Sequence, residues 1–361
     1  MKNGVQWFHK CLKTLDSDFR RNDGKRVFSP FYETINICCF INHWKLENKI
    51  MSLSQNVVLQ LMNRFPMLQY FTDRPFGIEI EFYGLDYVLA PIDNNIIKPY
   101  CISSRAKDGR NFQQLYKDFK IPIGADRDCW HFEKDGSVRG KGHTQFGAEL
   151  ISPILHGIIG LIQAYNAFQF LCNIQGINID NSCGFHVHHG VDSKVFTCKH
   201  LQELVRLVYP IEECFYLLIP GNRQNAETCK PMEIDVMAFL DICDSESEKG
   251  SDKIKQLWYS SENNYDPTSA EYSRYDKTRY HGLNLHSYWY RSTIEFRYHS
   301  AVLDNIDEAM EWIIFTQFLI ELSQGHVPNI CFYPEANKWM NTIYMIYKKL
   351  GHEDCIKRVA N

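Results

Sequence analysis

Two glutamates, Glu79 and Glu81, stand two residues apart in Phe76–Leu85 (FGIEIEFYGL), where Ile78, Ile80 and Phe82 take the alternate positions. On an extended strand this spacing sends both carboxylates to one face, roughly 6–7 Å apart. The same spacing recurs at His186 and His188 in Cys183–Val191 (CGFHVHHGV), and at Glu295 and Arg297 in Thr293–His299 (TIEFRYH). Glu149 sits in the middle of a fourth short strand, Gly147–Pro153 (GAELISP). Several carboxylates on one sheet face repel one another unless cations neutralise them. A carboxylate-dominated set with a little imidazole suits Mg²⁺ or Mn²⁺ better than zinc. An adjacent arginine suits an enzyme whose metals hold phosphates, because guanidinium grips phosphate oxygens with two hydrogen bonds.

Each pair alone has an ordinary reading: a solvated strand face for the glutamates, a surface ion pair for Glu295 and Arg297. Their surroundings argue otherwise. Every pair is embedded in apolar, β-branched or aromatic sequence, where unpaired charge is costly to bury.

The elements that must position these residues alternate between short strands and longer helices. Helical spacing runs over Ser54–Phe65, over Ile154–Gly176, over His200–Leu218 with Pro210 interrupting, and from Asn305 to about Gln324. His281–Asn284 adds another strand, and the charged run Asp244–Asp252 (DSESEKGSD) reads as an exposed loop. The expectation is an α+β fold whose polar sheet face is the working surface. Residues 1–70 read as a partly helical extension packed on the body, 71–330 as the catalytic domain, and 331–361 as a helical tail.

With 361 residues, 45% hydrophobic and 23% charged, the chain is too apolar to be wholly disordered. Its 39 basic against 43 acidic side chains, net −4, do not describe a surface built for nucleic acid or anionic lipid. Thirteen cysteines without a CxxC pair form neither a zinc ribbon nor a disulfide framework. No 18-residue apolar run and no N-terminal apolar core are visible, so a soluble, cytoplasmic chain with reduced thiols and no membrane partner is expected.

The series FGIEIEFYG, WHFEKDGSV, GAELISPIL, CGFHVHHGV, IPGNRQN, RYHGLNL and STIEFRYHSAVLD resembles the amidoligase family. That family belongs with the carboxylate–amine ligases, the superfamily of glutamine synthetase and glutamate–cysteine ligase, and its motifs occur here in order over about residues 76–325. The resemblance implies a glutamine synthetase-like catalytic domain, a mainly antiparallel sheet with helices on one face and the active site on the other. It also implies an ATP-dependent ligase with two or more divalent metals (Mg²⁺ or Mn²⁺), which forms an amide or isopeptide bond through an acyl phosphate.

Carried over by position, Glu79 would share one metal with His186 and Glu295, and Glu81 the other with Glu149. His188 would sit by the ATP phosphates and Arg297 would hold the transferred phosphoryl group. Arg279 and Arg291 match further arginines that clamp phosphate and substrate. Arg223 and Asn222, in IPGNRQN, match a phosphate- and substrate-binding loop in which Asn here replaces the family's usual Ser. Asn284 looks like a substrate or nucleotide contact, and Asp135 and Ser137 in KDGSV would mark either a substrate-side turn or a plain β-turn.

Other readings keep some of these residues. A phosphotransferase acting on a guanidinium nitrogen would use the same metals and arginines. A catalytically inactive binding module would need none of them, although the whole set is present. A zinc hydrolase built on CGFHVHHGV lacks cysteines at ligand spacing. Cys183 reads as a small buried hydrophobe rather than a nucleophile, and His189 alternates away from His188. His131 and His143 receive no partner. Tyr265–Tyr280 reads as a partly basic loop over the site. The partners expected are carboxylate and amine substrates, small-molecule or peptide and protein. An oligomer is compatible with the sequence, which carries no heptad to decide it.

Overall fold

Alternation in the sequence becomes a sheet with two unlike faces. The computed structural model describes residues 55–87, 95–138, 147–218, 223, 226–260 and 271–326. Asn222, His143, residues 1–54 and the expected tail over 331–361 lie outside them. The chain divides into two units, Met1–Val58 and Leu59–Asn361, and the fold described is that of the second.

The strands are β1 (Pro75–Tyr83), β2 (Ile96–Ile97), β3 (His131–Lys134), β4 (Gly147–Ile151), β5 (Leu155–His156), β6 (Gly184–Gly190), β7 (Leu283–Asn284) and β8 (Thr293–Ser300). They form one open sheet in the order β2-β3-β4-β1-β6-β8-β7, with β5 paired to the start of β1. All strand pairings among them are antiparallel. The fold is therefore α+β with a mainly antiparallel sheet, as expected.

Among the described residues the helices are α1 (Gln55–Arg64), α2 (Phe112–Asp118), α3 (Gly157–Cys172), α4 (Cys198–Val208), α5 (Glu212–Leu218), α6 (Val236–Leu240), α7 (Glu248–Tyr259), α8 (His286–Arg291) and α9 (Ile306–Ser323). Pro210 does interrupt a helix: α4 ends at Val208, a tight turn spans Tyr209–Ile211, and α5 follows. None of the helices among the described residues is long and apolar enough to cross a membrane.

The apolar sheet face packs on α3 and α9. Phe168 of α3 meets Phe185 edge-on, and Trp312 of α9 packs against Phe296 and Tyr298. Both helices are apolar nearly all round, the signature of a buried helix. His189 points to this side, where its Nε2 lies 2.8 Å from Thr316 Oγ1, and burial pushes its imidazole well below the usual range. It is neutral and turned from the polar face, as its alternation predicts.

One expectation fails. The run Asp244–Asp252 is not simply an exposed loop, because α7 begins inside it. Ser247 caps the helix by accepting a hydrogen bond from the Gly250 amide at 3.0 Å. Gly250 is buried, and a Cβ there would lie 1.7 Å from the Asp244 carbonyl oxygen. The charges sit on the outer face of α7 while Ile254, Trp258 and Tyr259 are buried, so a short charged segment hides the helical period.

Candidate active site

The polar face is ordered by strand register. Glu79 pairs with His186 on one side and Ile151 on the other, and Ile151 in turn pairs with His131. One step along β1, Glu81 pairs with Glu149, which pairs with Glu133. In the other direction His188 pairs with Glu295, which pairs with Asn284. Directly opposed residues share a face, so these rows gather their side chains into one field. A bulge sets Arg297 and Tyr298 together against His186. It aims Arg297 at the polar face and Tyr298 at the helices.

Above this field lies a cleft of about 1620 Å³, whose lining includes Glu79, Glu81, Glu149, His186, His188, Glu295 and Arg297. His186 stands between acids, with Nδ1 3.2 Å from Glu79 Oε2 and Nε2 3.4 Å from Glu81 Oε1. His188 Nε2 lies 3.3 Å from Glu79 Oε1 and 3.5 Å from Glu295 Oε1. Glu295 receives Arg297 Nη1 at 2.6 Å on one oxygen and the amide of Asn284 on the other. Ser287 Oγ adds a third donor at 3.3 Å. Glu81 accepts the backbone N–H of Gly184. Gly184 has no side chain for a reason: a Cβ there would lie 2.6 Å from both Arg223 Nη2 and His186 Nε2.

Two donor sets result. Ligand atoms of Glu79, His186 and Glu295 lie within 4.8 Å of one another, and so do those of Glu81, Asp135 and Glu149. Their electrostatics differ. Burial would raise the Glu79 carboxyl, but the charge of His188 and hydrogen bonds from both histidines outweigh it and hold it well below the usual range. Glu295 likewise resists burial and is held down to about 2 by Arg297, His188 and His186. His188 is raised despite burial, by Glu295 and Glu79. Glu149 goes the other way: burial, and then the charges of Glu79, Asp135, Glu81 and Glu133, push it well above the carboxylate range. The second set is thus short of positive charge.

Of the other residues picked out by sequence, Arg279, Arg291 and Asn284 line the cleft, and so do Asp135 and Ser137. Arg279 leans over Tyr280 and Arg291 over Tyr290. Asp135 and Ser137 close a turn in which the Ser137 amide donates to Asp135 Oδ1 at 2.7 Å. Arg223 is not brought to the cleft. It is 1% exposed and donates to the carbonyls of Ser182 and Arg297, at 3.3 and 3.5 Å. Cys183 is fully buried, and burial pushes its thiol up to about 12, which leaves no thiolate to act as nucleophile. Of the segment Tyr265–Tyr280, residues 265–270 lie outside the described part, while Arg274, Tyr275, Arg279 and Tyr280 line the cleft.

Residues 72–320 match the family described as putative amidoligase enzyme. The chain belongs to the amidoligase family. The match runs from the residues just before β1 to α9 and contains every strand of the sheet. Membership places the chain among ligase-type enzymes. No curated protein matches the chain in a sequence search.

Sequence reasoning about this amidoligase-family chain missed three features of the site. Glu133 and His131 line the cleft, and Asp135 joins the second donor set rather than only shaping a turn. The signal was present in WHFEKDGSV, where His131, Glu133 and Asp135 repeat the two-residue spacing of the other strands.

Proposed function

We propose that the chain is an ATP-dependent carboxylate–amine ligase with a glutamine synthetase-like catalytic domain. The observation that carries this reading is the pair of donor sets lying side by side on one sheet face, with Arg297 at their edge. The residues suit two divalent cations. His186 Nε2 is buried with no hydrogen-bond partner among the described residues, and the acids outnumber the cations around Glu149. Glu79, His186 and Glu295 would hold one Mg²⁺ or Mn²⁺, and Glu81, Asp135 and Glu149 the other. Bound there, such ions neutralise phosphate oxygens and polarise the reacting groups.

The chain's own residues supply the rest. Arg297, buried and fixed by Thr228 O at 3.1 Å, presents a permanent charge to a transferred phosphoryl group. Arg279 and Arg291 serve the phosphates from the wall of the cleft, with His188 below them. Asn284 and Ser287 act through Glu295, fixing its second oxygen. A carboxylate is a poor acyl donor, so phosphoryl transfer from ATP makes an acyl phosphate. The amine then attacks this, giving amide and phosphate.

The test is turnover of ATP by the full chain with Mg²⁺ or Mn²⁺ and pooled amino acids and peptides, with hydroxylamine trapping acyl phosphates. Hydroxamate and phosphate appearing together, and vanishing in Glu79→Ala and Glu295→Ala, is the expected result. ADP without hydroxamate would favour a phosphotransferase, and absence of nucleotide and metal binding a non-enzymatic module.

A further inference from the structure

The cleft floor carries an imidazole–carboxylate pair that neither donor set uses. His131 and Glu133 lie two apart on β3, 3% and 6% exposed, and both line the cleft. The ring is oriented from behind, with His131 Nδ1 3.0 Å from the Cys129 carbonyl oxygen. A carbonyl only accepts, so Nδ1 carries a proton and it is Nε2 whose lone pair is available to take another. That lone pair faces Glu133 Oε1 at 3.4 Å. An acceptor on each side of that gap, at the floor of the cleft, suits a donor or a positive charge shared between them. Glu133 stands in register with Glu149, so the pair lies one strand outward from the second donor set. His186 and His188 offer no such place, since each is hemmed in by carboxylates of the donor sets, Glu79 and Glu81 about His186 and Glu79 and Glu295 about His188.

We propose that His131 and Glu133 seat the amine substrate, a primary amine arriving as its ammonium ion, and that His131 Nε2 takes its proton. The inference rests on the amide-forming reading above. The N–H groups of the ammonium bridge Nε2 and Oε1, and the charge of Glu133 balances the cation. Transfer of one proton to Nε2 leaves a free amine, whose nitrogen attacks the acyl carbon. A C–N bond forms, and the C–O bond to phosphate breaks with its electron pair on the leaving phosphate. Of the two protons the nitrogen gives up, one ends on phosphate and the other passes to solvent through His131. Glu133 stabilises the transient imidazolium.

Two measurements on the full chain test this. In the first, ¹³C-methylamine, an ammonium at neutral pH, is titrated and followed by NMR. Saturable binding that weakens at least tenfold in both Glu133→Gln and His131→Gln is expected. No saturable binding to the wild type, or equal binding to the variants, overturns the amine seat. In the second, ATP, Mg²⁺ and the carboxylate pool are supplied with either hydroxylamine or methylamine. Hydroxylamine is uncharged at neutral pH and needs no proton removed before it attacks. His131→Gln should therefore keep hydroxamate formation within threefold and lose methylamide formation by about 100-fold. Retention of both products, or parallel loss of both, overturns the proton-acceptor role and leaves the pair as a support for β3. A wild type that makes ADP but no hydroxamate marks failure of the ligase reading instead, and the methylamine titration then decides the amine seat by itself.

Discussion

Arg297 Nη1 lies 2.6 Å from Glu295 Oε1, although the two side chains leave one strand only two residues apart. Both are buried, at 4% and 3% exposure, so each is the other's main counter-charge. Breaking a buried pair from one side leaves a charge uncompensated. Glu295→Gln should therefore cost about 3–5 kcal/mol in urea unfolding with EDTA present. The acid limb should change as well. The carboxyl is held down to about 2, below an unfolded value of about 4.3. Its contribution is full above the unfolded value and is lost as pH falls toward 2. Wild type should lose up to about 3 kcal/mol over that window which the variant does not.

Glu212 of α5 titrates in the opposite sense. It is buried behind the sheet, accepting Tyr298 Oη at 2.7 Å and the Met232 amide at 3.1 Å, and burial raises it to about 7. The folded state therefore keeps a proton that the unfolded state gives up above about 4.3. This contribution is full below the unfolded value and declines as pH rises through 7. Glu212→Gln should flatten the pH dependence of thermal stability between pH 5 and 8, with the gap to wild type closing or reversing at the alkaline end. A midpoint that falls equally at every pH would count against a neutral Glu212.

Much of this was legible in the sequence, for a physical reason. Two-residue alternation fixes which side chains share a sheet face, and Glu79, Glu81, His186, His188, Glu295 and Arg297 all obey it. Alternation does not reveal strand order. That β3 lies beside β4, bringing Glu133 opposite Glu149, depends on long-range pairing. Arg223 is a similar case, since nothing in the sequence marks whether a loop arginine is sealed beneath the site beside Gly184 and His186 or open to the cleft. The start of α7 was hidden because Ser247 and Gly250 read as loop residues, while their roles are cap and close approach.

Gly184 is the point at which the site tolerates no added carbon. A Cβ there would stand 2.6 Å from Arg223 Nη2 and His186 Nε2 and 3.1 Å from Glu81 Oε2, and all three side chains are buried. Gly184→Ala should destabilise the fold by about 1–3 kcal/mol and lower activity far more than that loss explains, because Glu81 and His186 must shift together. Activity measured well below the variant's melting temperature separates the two effects. Wild-type turnover there would mean that the floor is looser than these distances imply.

Arg223 and Arg279 should respond differently to substitution, although the family resemblance suggests phosphate contacts for both. Arg223 is buried against the carbonyls of Ser182 and Arg297, whereas Arg279 lines the cleft. Removing a buried charged donor costs the hydrogen bonds it made, about 2–3 kcal/mol here. Arg223→Met should accordingly lower the unfolding free energy by about that much while leaving the KM for ATP within threefold of wild type. Arg279→Ala should do the reverse, raising the KM for ATP about tenfold or more, as loss of a charge-assisted phosphate contact would, with little change in stability. Steady-state kinetics and urea unfolding on both variants decide the matter. A large rise in KM for Arg223→Met alone would assign that buried guanidinium to the phosphates.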